Sequence, residues 1–155
     1  MHLLVALLLA LPQTDRAPDS LLVEVAGRVT VIRAADLAGL PRDTARTSIH
    51  GGPTLTYTGV KLTDVLRRVG IATDSLRGPA LVTRVLVEAA DGYRVVFSLP
   101  ELAPGFGERR VVLVDRLDGQ PLPGNEGPWR LAAVGDAGEH ARWVRRVVAI
   151  RVRRD

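Results

Sequence analysis

The strongest constraint on the fold is a regular alternation of apolar and polar residues over 82–98, interrupted once by Asp91-Gly92. A period of two residues is typical of a strand with one buried face. Asp-Gly between two such runs favours a type I′ turn, in which both central residues have positive φ. We therefore predict a two-residue hairpin here. The apolar residues that share one face are Val85, Val87 and Ala89 before the turn and Tyr93, Val95 and Phe97 after it.

Other short apolar segments predict further strands, and helical periodicity is confined to short stretches. The predicted strands are two over 21–32 around Gly27, one over 111–114 followed by a second Asp-Gly turn at Asp118-Gly119, one over 129–134 and one over 144–152. Residues 44–57 fit either two short strands or a strand and a loop. A helix is predicted over 61–69 and one or two helical turns over 34–40. Strands do not alternate regularly with helices, so a doubly wound parallel sheet is not favoured. The predicted class is α+β, with β-rich mixed sheets and short helices.

The chain contains no cysteine among its 155 residues. It therefore forms no disulfide and offers no thiolate as a nucleophile or as a metal ligand. With 46% hydrophobic and 25% charged residues, its composition is that of one globular domain that can bury a core without cross-links.

Residues 1–11, MHLLVALLLAL, form an apolar run that stands apart from the rest of the sequence. A membrane-spanning helix needs about 20 residues, so this run is too short to span. It fits the apolar middle of a secretion signal. We expect residues 1–17 to be a signal peptide and residues 18–155 to be an exported domain, periplasmic or extracellular. A misassigned start and a buried N-terminal segment are the alternatives.

The net charge of +4 and the pI of about 10.5 raise the question of a nucleic-acid partner. The basic residues are nearly all arginine, with Lys61 as the single lysine among 21, and most are interspersed with acidic residues. Two Phe, two Tyr and two Trp leave little surface for base stacking. A solvated, arginine-rich surface is therefore the favoured interpretation, with no nucleic-acid partner.

The sequence lacks the glycine-rich phosphate loop, the dinucleotide fingerprint and the nucleophile elbow. Asp136, Glu139 and His140 could together hold a divalent ion, although a polar loop is the favoured interpretation. His50 beside Gly51-Gly52 could meet a ligand, because glycines let a ligand approach the backbone, although an exposed turn is favoured there. No catalytic residue and no metal ligand is assigned on this basis.

Three blocks in order carry a resemblance to a known family. The blocks are 57–66 (YTGVKLTDVL), then Ala90-Asp91-Gly92-Tyr93 running to Ser98-Leu99-Pro100-Glu101-Leu102, then 118–123 (DGQPLP) with Gly127-Pro128-Trp129-Arg130-Leu131 and 142–147 (RWVRRV). Together they resemble the molybdopterin-binding domain of the sulfite-oxidase-type oxidoreductases, in a small stand-alone bacterial form. The resemblance covers nearly all of residues 21–153.

The resemblance implies a sulfite-oxidase-like fold and molybdopterin as a possible cofactor. In the family, a pterin dithiolene and one cysteine thiolate hold molybdenum, and that cysteine lies upstream of the aromatic-x-Gly block. The corresponding region here contains Thr47, Ser48 and His50, and a hydroxyl or an imidazole replaces a soft thiolate poorly. The resemblance also implies that Arg130 meets the phosphate of the cofactor, provided that its side chain faces solvent. Arg142 matches the last block more loosely.

Two function classes remain open at this point. One is an exported oxidoreductase-type molybdopterin-binding domain whose redox activity is unproven. The other is a non-catalytic module on the same fold that binds an anionic small molecule or a partner protein around Arg130 and Arg142. The candidate binding residues are Thr47, Ser48, His50, Arg130 and Arg142. Trp129 and Trp143 are expected to be core residues.

Overall fold

The computed structural model describes residues 20–48, 51–135 and 140–154, and these ranges contain ten strands in two five-stranded sheets. The strands are β1 (Ser20–Val25), β2 (Arg28–Arg33), β3 (Arg42–Ser48), β4 (Thr54–Lys61), β5 (Arg84–Ala89), β6 (Arg94–Ser98), β7 (Val111–Leu117), β8 (Gln120–Pro121), β9 (Arg130–Ala133) and β10 (Val147–Arg153). The helices are α1 (Ala34–Leu37), α2 (Leu62–Arg68) and α3 (Leu99–Leu102), with a 3-10 helix at Gly78–Val82. The predicted α+β class is confirmed.

The first sheet has the strand order β2-β1-β10-β5-β6. It joins the two predicted hairpins, β1-β2 and β5-β6, through the last strand of the chain. β10 runs parallel to β1, with Val23 opposite Ile150, and antiparallel to β5. The alternation read from the sequence matches the burial of β5, where Val85 and Val87 are buried and Arg84 is exposed.

The second sheet has the order β3-β4-β7-β8, and β9 also pairs with β7. Residues 44–48 and 54–57 thus belong to two strands, which favours the two-strand interpretation of that segment. β7 is buried on both faces from Val111 to Val114. Buried residues of both sheets belong to one hydrophobic core, which also contains Leu62, Val65 and Leu66 of α2. None of the helices in the described ranges is long and apolar enough to cross a membrane.

The two Asp-Gly turns differ from each other. At the second turn Asp118 and Gly119 have φ of 47° and 81°, and Leu117 pairs with Gln120, as a type I′ hairpin requires. At the first turn only Gly92 has positive φ, so the prediction of positive φ at Asp91 is wrong. The Asp91 carboxylate accepts a hydrogen bond from the Tyr93 N–H at 3.0 Å, and Gly92 N–H bonds the Ala89 carbonyl at 3.0 Å. This local bond to Asp91 favours a longer loop that ends in a left-handed glycine.

The last strand begins later than the sequence indicated. Arg146 has a φ of 49°, which interrupts the extended backbone, and Val144 instead forms an isolated bridge with Leu131. The strand proper starts at Val147. Tyr93 is likewise 48% exposed rather than part of the buried face, because it lies in the turn before β6.

Candidate functional site

The end of β3 brings one of the predicted site residues to a histidine. Thr47 lies opposite Leu55 of β4, and its hydroxyl oxygen is 2.6 Å from Nε2 of His140. Ser48, the last residue of β3, is exposed. His50 lies outside the described residues, as do Asp136 and Glu139. In the ranges that the structure describes, no group of three His, Cys, Asp or Glu side chains could hold a metal ion.

Next to this contact, the Arg130 guanidinium lies against two aromatic rings. Its guanidinium carbon is 4.8 Å from the ring centre of Tyr57 and 5.3 Å from that of Trp143. Trp143 contacts Tyr57 edge-on at 5.5 Å and His140 at 4.7 Å between ring centres. Cation–π and edge-to-face contacts of these lengths are favourable. With Glu126, these residues form the Arg130 cluster, which consists of Thr47, Tyr57, Glu126, Arg130, His140 and Trp143.

Glu126 neutralises the arginine of this cluster. Nη1 of Arg130 is 2.6 Å from Oε2 of Glu126 and donates to the Tyr57 hydroxyl at 2.8 Å, while that hydroxyl donates to Glu126 at 3.2 Å. The side chains of Arg130 and Glu126 are only 6% and 14% exposed. The condition for a role of Arg130 in phosphate binding, that its side chain faces solvent, is therefore not met.

Local backbone bonds explain why Glu126 reaches Arg130. The Glu126 and Gly127 N–H groups both donate to the Pro123 carbonyl, at 2.9 and 2.8 Å, so the segment before β9 turns back on itself. The Glu126 carbonyl then accepts from the Arg146 N–H at 2.8 Å, which joins the turn to the start of β10. The carboxylate is thus held over the guanidinium by the backbone.

The environment of the cluster keeps Tyr57 protonated. Burial raises the pKa of the Tyr57 hydroxyl above its ordinary value of 10.0, the charge of Arg130 opposes this, and Glu126 adds to it. A neutral phenol can donate to the Glu126 carboxylate, and a phenolate could not. Sequence reasoning missed the roles of Tyr57 and Glu126. Tyr57 was visible as the aromatic residue of the first family block, whereas nothing in the sequence marked Glu126.

Arg142 is placed differently from Arg130. Its guanidinium stacks over the ring of Phe97 at 4.6 Å and is 2.8 Å from Oε1 of Glu101. Those contacts lie at β6 and the start of α3. Arg142 also has an acidic neighbour within the protein, so neither predicted arginine presents a bare guanidinium at the site.

The two tryptophans are core residues, as predicted. Trp129 and Trp143 are 3% and 8% exposed. Nε1 of Trp143 donates to the Ala133 carbonyl at 2.8 Å. Nε1 of Trp129 and Nε of Arg130 are buried and have no hydrogen-bond acceptor among the described residues. A buried N–H without an acceptor costs about 1–3 kcal/mol, so both groups would gain from an acceptor supplied by a ligand or by water.

The arginines of β10 are also matched by carboxylates. Arg151 pairs with Glu88 and lies 3.3 Å from Glu24, and Arg153 lies 2.8 Å from Glu24. The hydrogen bond from Arg153 is the main cause that lowers the pKa of Glu24. These pairs lie across neighbouring strands of the first sheet.

Fold and site together define a two-sheet α+β domain with a buried arginine after a Gly-Pro turn. A family described as "Oxidoreductase molybdopterin binding domain" matches residues 22–155. No curated protein matches the chain significantly. The family match covers most of the sequence, so this chain belongs to the oxidoreductase molybdopterin-binding domain family. The resemblance seen in the sequence is confirmed.

The residues present do not fit a molybdenum-holding pterin. The chain has no thiolate for the metal, and the hydroxyl of Thr47, in the region where the family has its cysteine, contacts His140 instead. Molybdenum in this setting prefers a soft ligand, which neither an oxygen nor an imidazole supplies. The arginine that would meet the cofactor phosphate is already paired with Glu126.

Proposed function

We propose that this chain is an exported, non-redox member of its family that binds an anionic ligand without molybdenum. One observation carries the proposal: in a chain without cysteine, the arginine at the family's phosphate-facing position is buried in an ion pair with Glu126. The fold is kept, while the two interactions that would hold a metal-bearing cofactor are replaced by contacts within the protein.

Energetics favour the internal partner over an external phosphate. A charge-assisted hydrogen bond contributes about 1.5–3 kcal/mol. Removing one partner from a buried ion pair costs about 3–5 kcal/mol, because the other charge stays buried and unpaired. A phosphate that drew Arg130 away from Glu126 would therefore lose more than it gained. Arg130 is better explained as a structural group than as an anion receptor.

Arg145, two residues after Trp143 in the chain, is the cation to which we assign an anion near the cluster. Its charge is the smallest of the influences on the pKa of Tyr57, and it lowers that pKa. Its side chain is exposed, and no ion pair of Arg145 occurs within the described residues. It therefore takes over the role that the sequence had assigned to Arg130 and Arg142.

Inorganic phosphate tests this assignment, with binding followed through the backbone amide signals of isotope-labelled protein. Arg145→Gln should abolish or strongly weaken the binding, whereas Arg154→Gln, an exposed arginine near the C-terminus, should not. The proposal would be contradicted if substitution of Arg130 alone abolished phosphate binding and substitution of Arg145 alone left it unchanged.

A cofactor held without a thiolate is the second candidate. The buried N–H groups of Trp129 and Arg130 favour it, because each lacks an acceptor within the described segments. A pterin or its phosphate could provide such acceptors. Absorbance of protein purified from a cofactor-producing host separates the two candidates, since a bound pterin absorbs in the visible or near ultraviolet and a simple anion does not.

Export is a separate part of the proposal and is supported by the apolar run before Pro12. The intact mass of protein recovered from the periplasm or medium of a bacterial host should correspond to a chain that begins no earlier than Gln13. A soluble cytoplasmic product whose mass begins at Met1 would contradict it.

A further inference from the structure

A pocket of about 300 Å³ lies at the opposite end of β4 from the Arg130 cluster. It opens between the start of α2 and the segment that leads into β7, and its lining includes Lys61, Thr63, Leu102, Glu108, Arg109 and Val111. Lys61 lies six residues along β4 from Leu55, the partner of Thr47. At about 3.3 Å per residue this is about 20 Å, and Tyr57 of the cluster is four residues, or about 13 Å, from Lys61. We propose that this pocket binds a small organic anion, a monocarboxylate with an apolar body.

Lys61 provides the charge that the other cations of the pocket do not. Arg110 lies 3.2 Å from a carboxylate oxygen of Asp43, and Arg109 lies 3.7 Å from Glu101. Lys61 is exposed, and its ammonium has no ion pair or hydrogen bond within the part of the chain that the structure describes. A flexible lysine acts as a point charge and suits a single carboxylate.

Glu108 is the one acidic residue of the lining. Its Oε1 accepts a hydrogen bond from the Gly105 N–H at 2.8 Å. This bond holds the carboxylate against its own turn. Arg109 and Arg110 have their own carboxylate partners, so Lys61 is the lining cation that remains for a ligand.

Thr63 adds a hydrogen-bonding group inside the pocket. The residue is only 9% exposed and lines the pocket. A hydroxyl can donate and accept hydrogen bonds, so it can serve a ligand that enters the pocket. A carboxylate oxygen can accept from it while the second oxygen meets Lys61.

The apolar side chains of the pocket wall determine which nonpolar group a ligand can carry. Leu62, Leu102 and Val111 are buried apolar residues at the pocket wall. Small-molecule pockets span roughly 300–1,000 Å³, so this one suits a ligand of about the size of benzoate. The class is thus an apolar body with one carboxylate, recognised by a lysine and a hydroxyl.

Benzoate and hexanoate, titrated into isotope-labelled protein, test the inference. The expected result is perturbation of the amide signals of Lys61, Thr63 and Val111 in the millimolar range, without change at Thr47 or His140. Lys61→Gln should weaken binding at least about tenfold, the value of a charge-assisted bond. Thr63→Val, which keeps the shape and removes the hydroxyl, should weaken it severalfold. Arg68→Gln, an exposed cation on α2 outside the lining, serves as the matched control and should leave the affinity unchanged.

Three results would overturn the inference: equal binding by Lys61→Gln, equal binding of the uncharged analogue benzyl alcohol, or no perturbation at the pocket by either carboxylate. Circular dichroism of each variant confirms that it is folded before its affinity is compared. The titration reports on residues remote from Arg145, so its outcome is independent of the phosphate experiment.

Discussion

The positively charged side chains near the two ends of β4 have opposite environments. At one end, Arg130 is almost fully buried, paired with Glu126 and covered by Tyr57 and Trp143. At the other end, Lys61 is exposed at the edge of a pocket and has no ion pair within the described residues. The first charge contributes to the fold, and the second is available to a ligand.

This difference shows that a basic residue at a family position does not by itself indicate a binding site. The availability of its charge depends on the nearest carboxylate, which another part of the chain supplies. Glu126 removes Arg130 from the set of anion receptors, although Arg130 is the residue that best matches the family. The comparison between the two ends can be tested by substitutions at each.

The largest expected effect is at the buried end. Glu126→Ala leaves the guanidinium of Arg130 buried without its partner, and we expect a loss of about 3–5 kcal/mol in the free energy of unfolding. Asp115→Ala is the matched control, because Asp115 pairs with Arg42 at the surface. An exposed pair contributes only about 0–1 kcal/mol. Urea denaturation of both variants measures the difference.

The double variant Glu126→Leu/Arg130→Met sharpens this result. An apolar replacement of a whole buried pair is often neutral or stabilising, so the double variant should recover most of the stability lost in Glu126→Ala. If Glu126→Ala costs no more than Asp115→Ala, the Arg130–Glu126 pair is not the buried structural pair described here.

Gly59 lies on β4 between Tyr57 of the Arg130 cluster and Lys61 of the pocket. A Cβ at this position would lie 1.9 Å from the Leu113 carbonyl oxygen of β7, and backbone atoms cannot move aside cheaply. We expect Gly59→Ala to destabilise the protein by about 1–3 kcal/mol or more. Gly39→Ala is the control, because nothing lies within 4 Å of a Cβ there and its φ is not positive. Equal thermal midpoints for the two variants would contradict the close approach of β4 and β7.

A smaller effect is expected from the ionisation of Tyr57. Its pKa is raised in the folded protein, mainly by burial, so the folded state holds this proton more tightly than the unfolded state. The associated stability is fully present below about pH 10, the unfolded value, and is lost as the pH rises through the folded pKa. In the Tyr57→Phe variant, the free energy of unfolding should therefore fall less steeply as the pH rises above 10. Identical slopes of stability against pH above pH 10 in both proteins would show that the Tyr57 hydroxyl is not buried in the cluster.

The smallest effect on stability is expected at the exposed end. Lys61→Gln removes a charge that no described residue pairs with, so the free energy of unfolding should change by less than about 0.5 kcal/mol. The same variant should lose affinity for benzoate. A large loss of stability would place Lys61 among the structural charges, together with Arg130.

Much of the fold could be predicted from local patterns. The alternation in β5 and β6, the periodicity of α2 and the second Asp-Gly turn are properties of neighbouring residues, and each is present. The insertion of β10 between β1 and β5 could not be predicted, because a pairing between the two ends of the chain leaves no local signal. The first Asp-Gly turn differs because the Asp91 side chain bonds the backbone, an alternative that the dipeptide does not reveal.

The candidate site was predicted in part. Arg130 of β9 and Thr47 at the end of β3 lie in one region, joined through His140 and Trp143. The partner of Thr47 is His140, which the sequence placed in a polar loop, and the partner of Arg130 is Glu126. Both contacts join segments distant in the sequence or bent by a turn, so spacing alone could not indicate them.

The molybdenum content of the full chain tests the central claim most directly. The protein is purified from a host that synthesises the pterin cofactor, beside a cysteine-bearing member of the same family as the positive control. The account predicts molybdenum far below one atom per chain, and no absorbance band that bleaches on reduction, while the control contains stoichiometric metal. Stoichiometric molybdenum in this chain, with a band that bleaches on reduction, would contradict the account and restore a redox function.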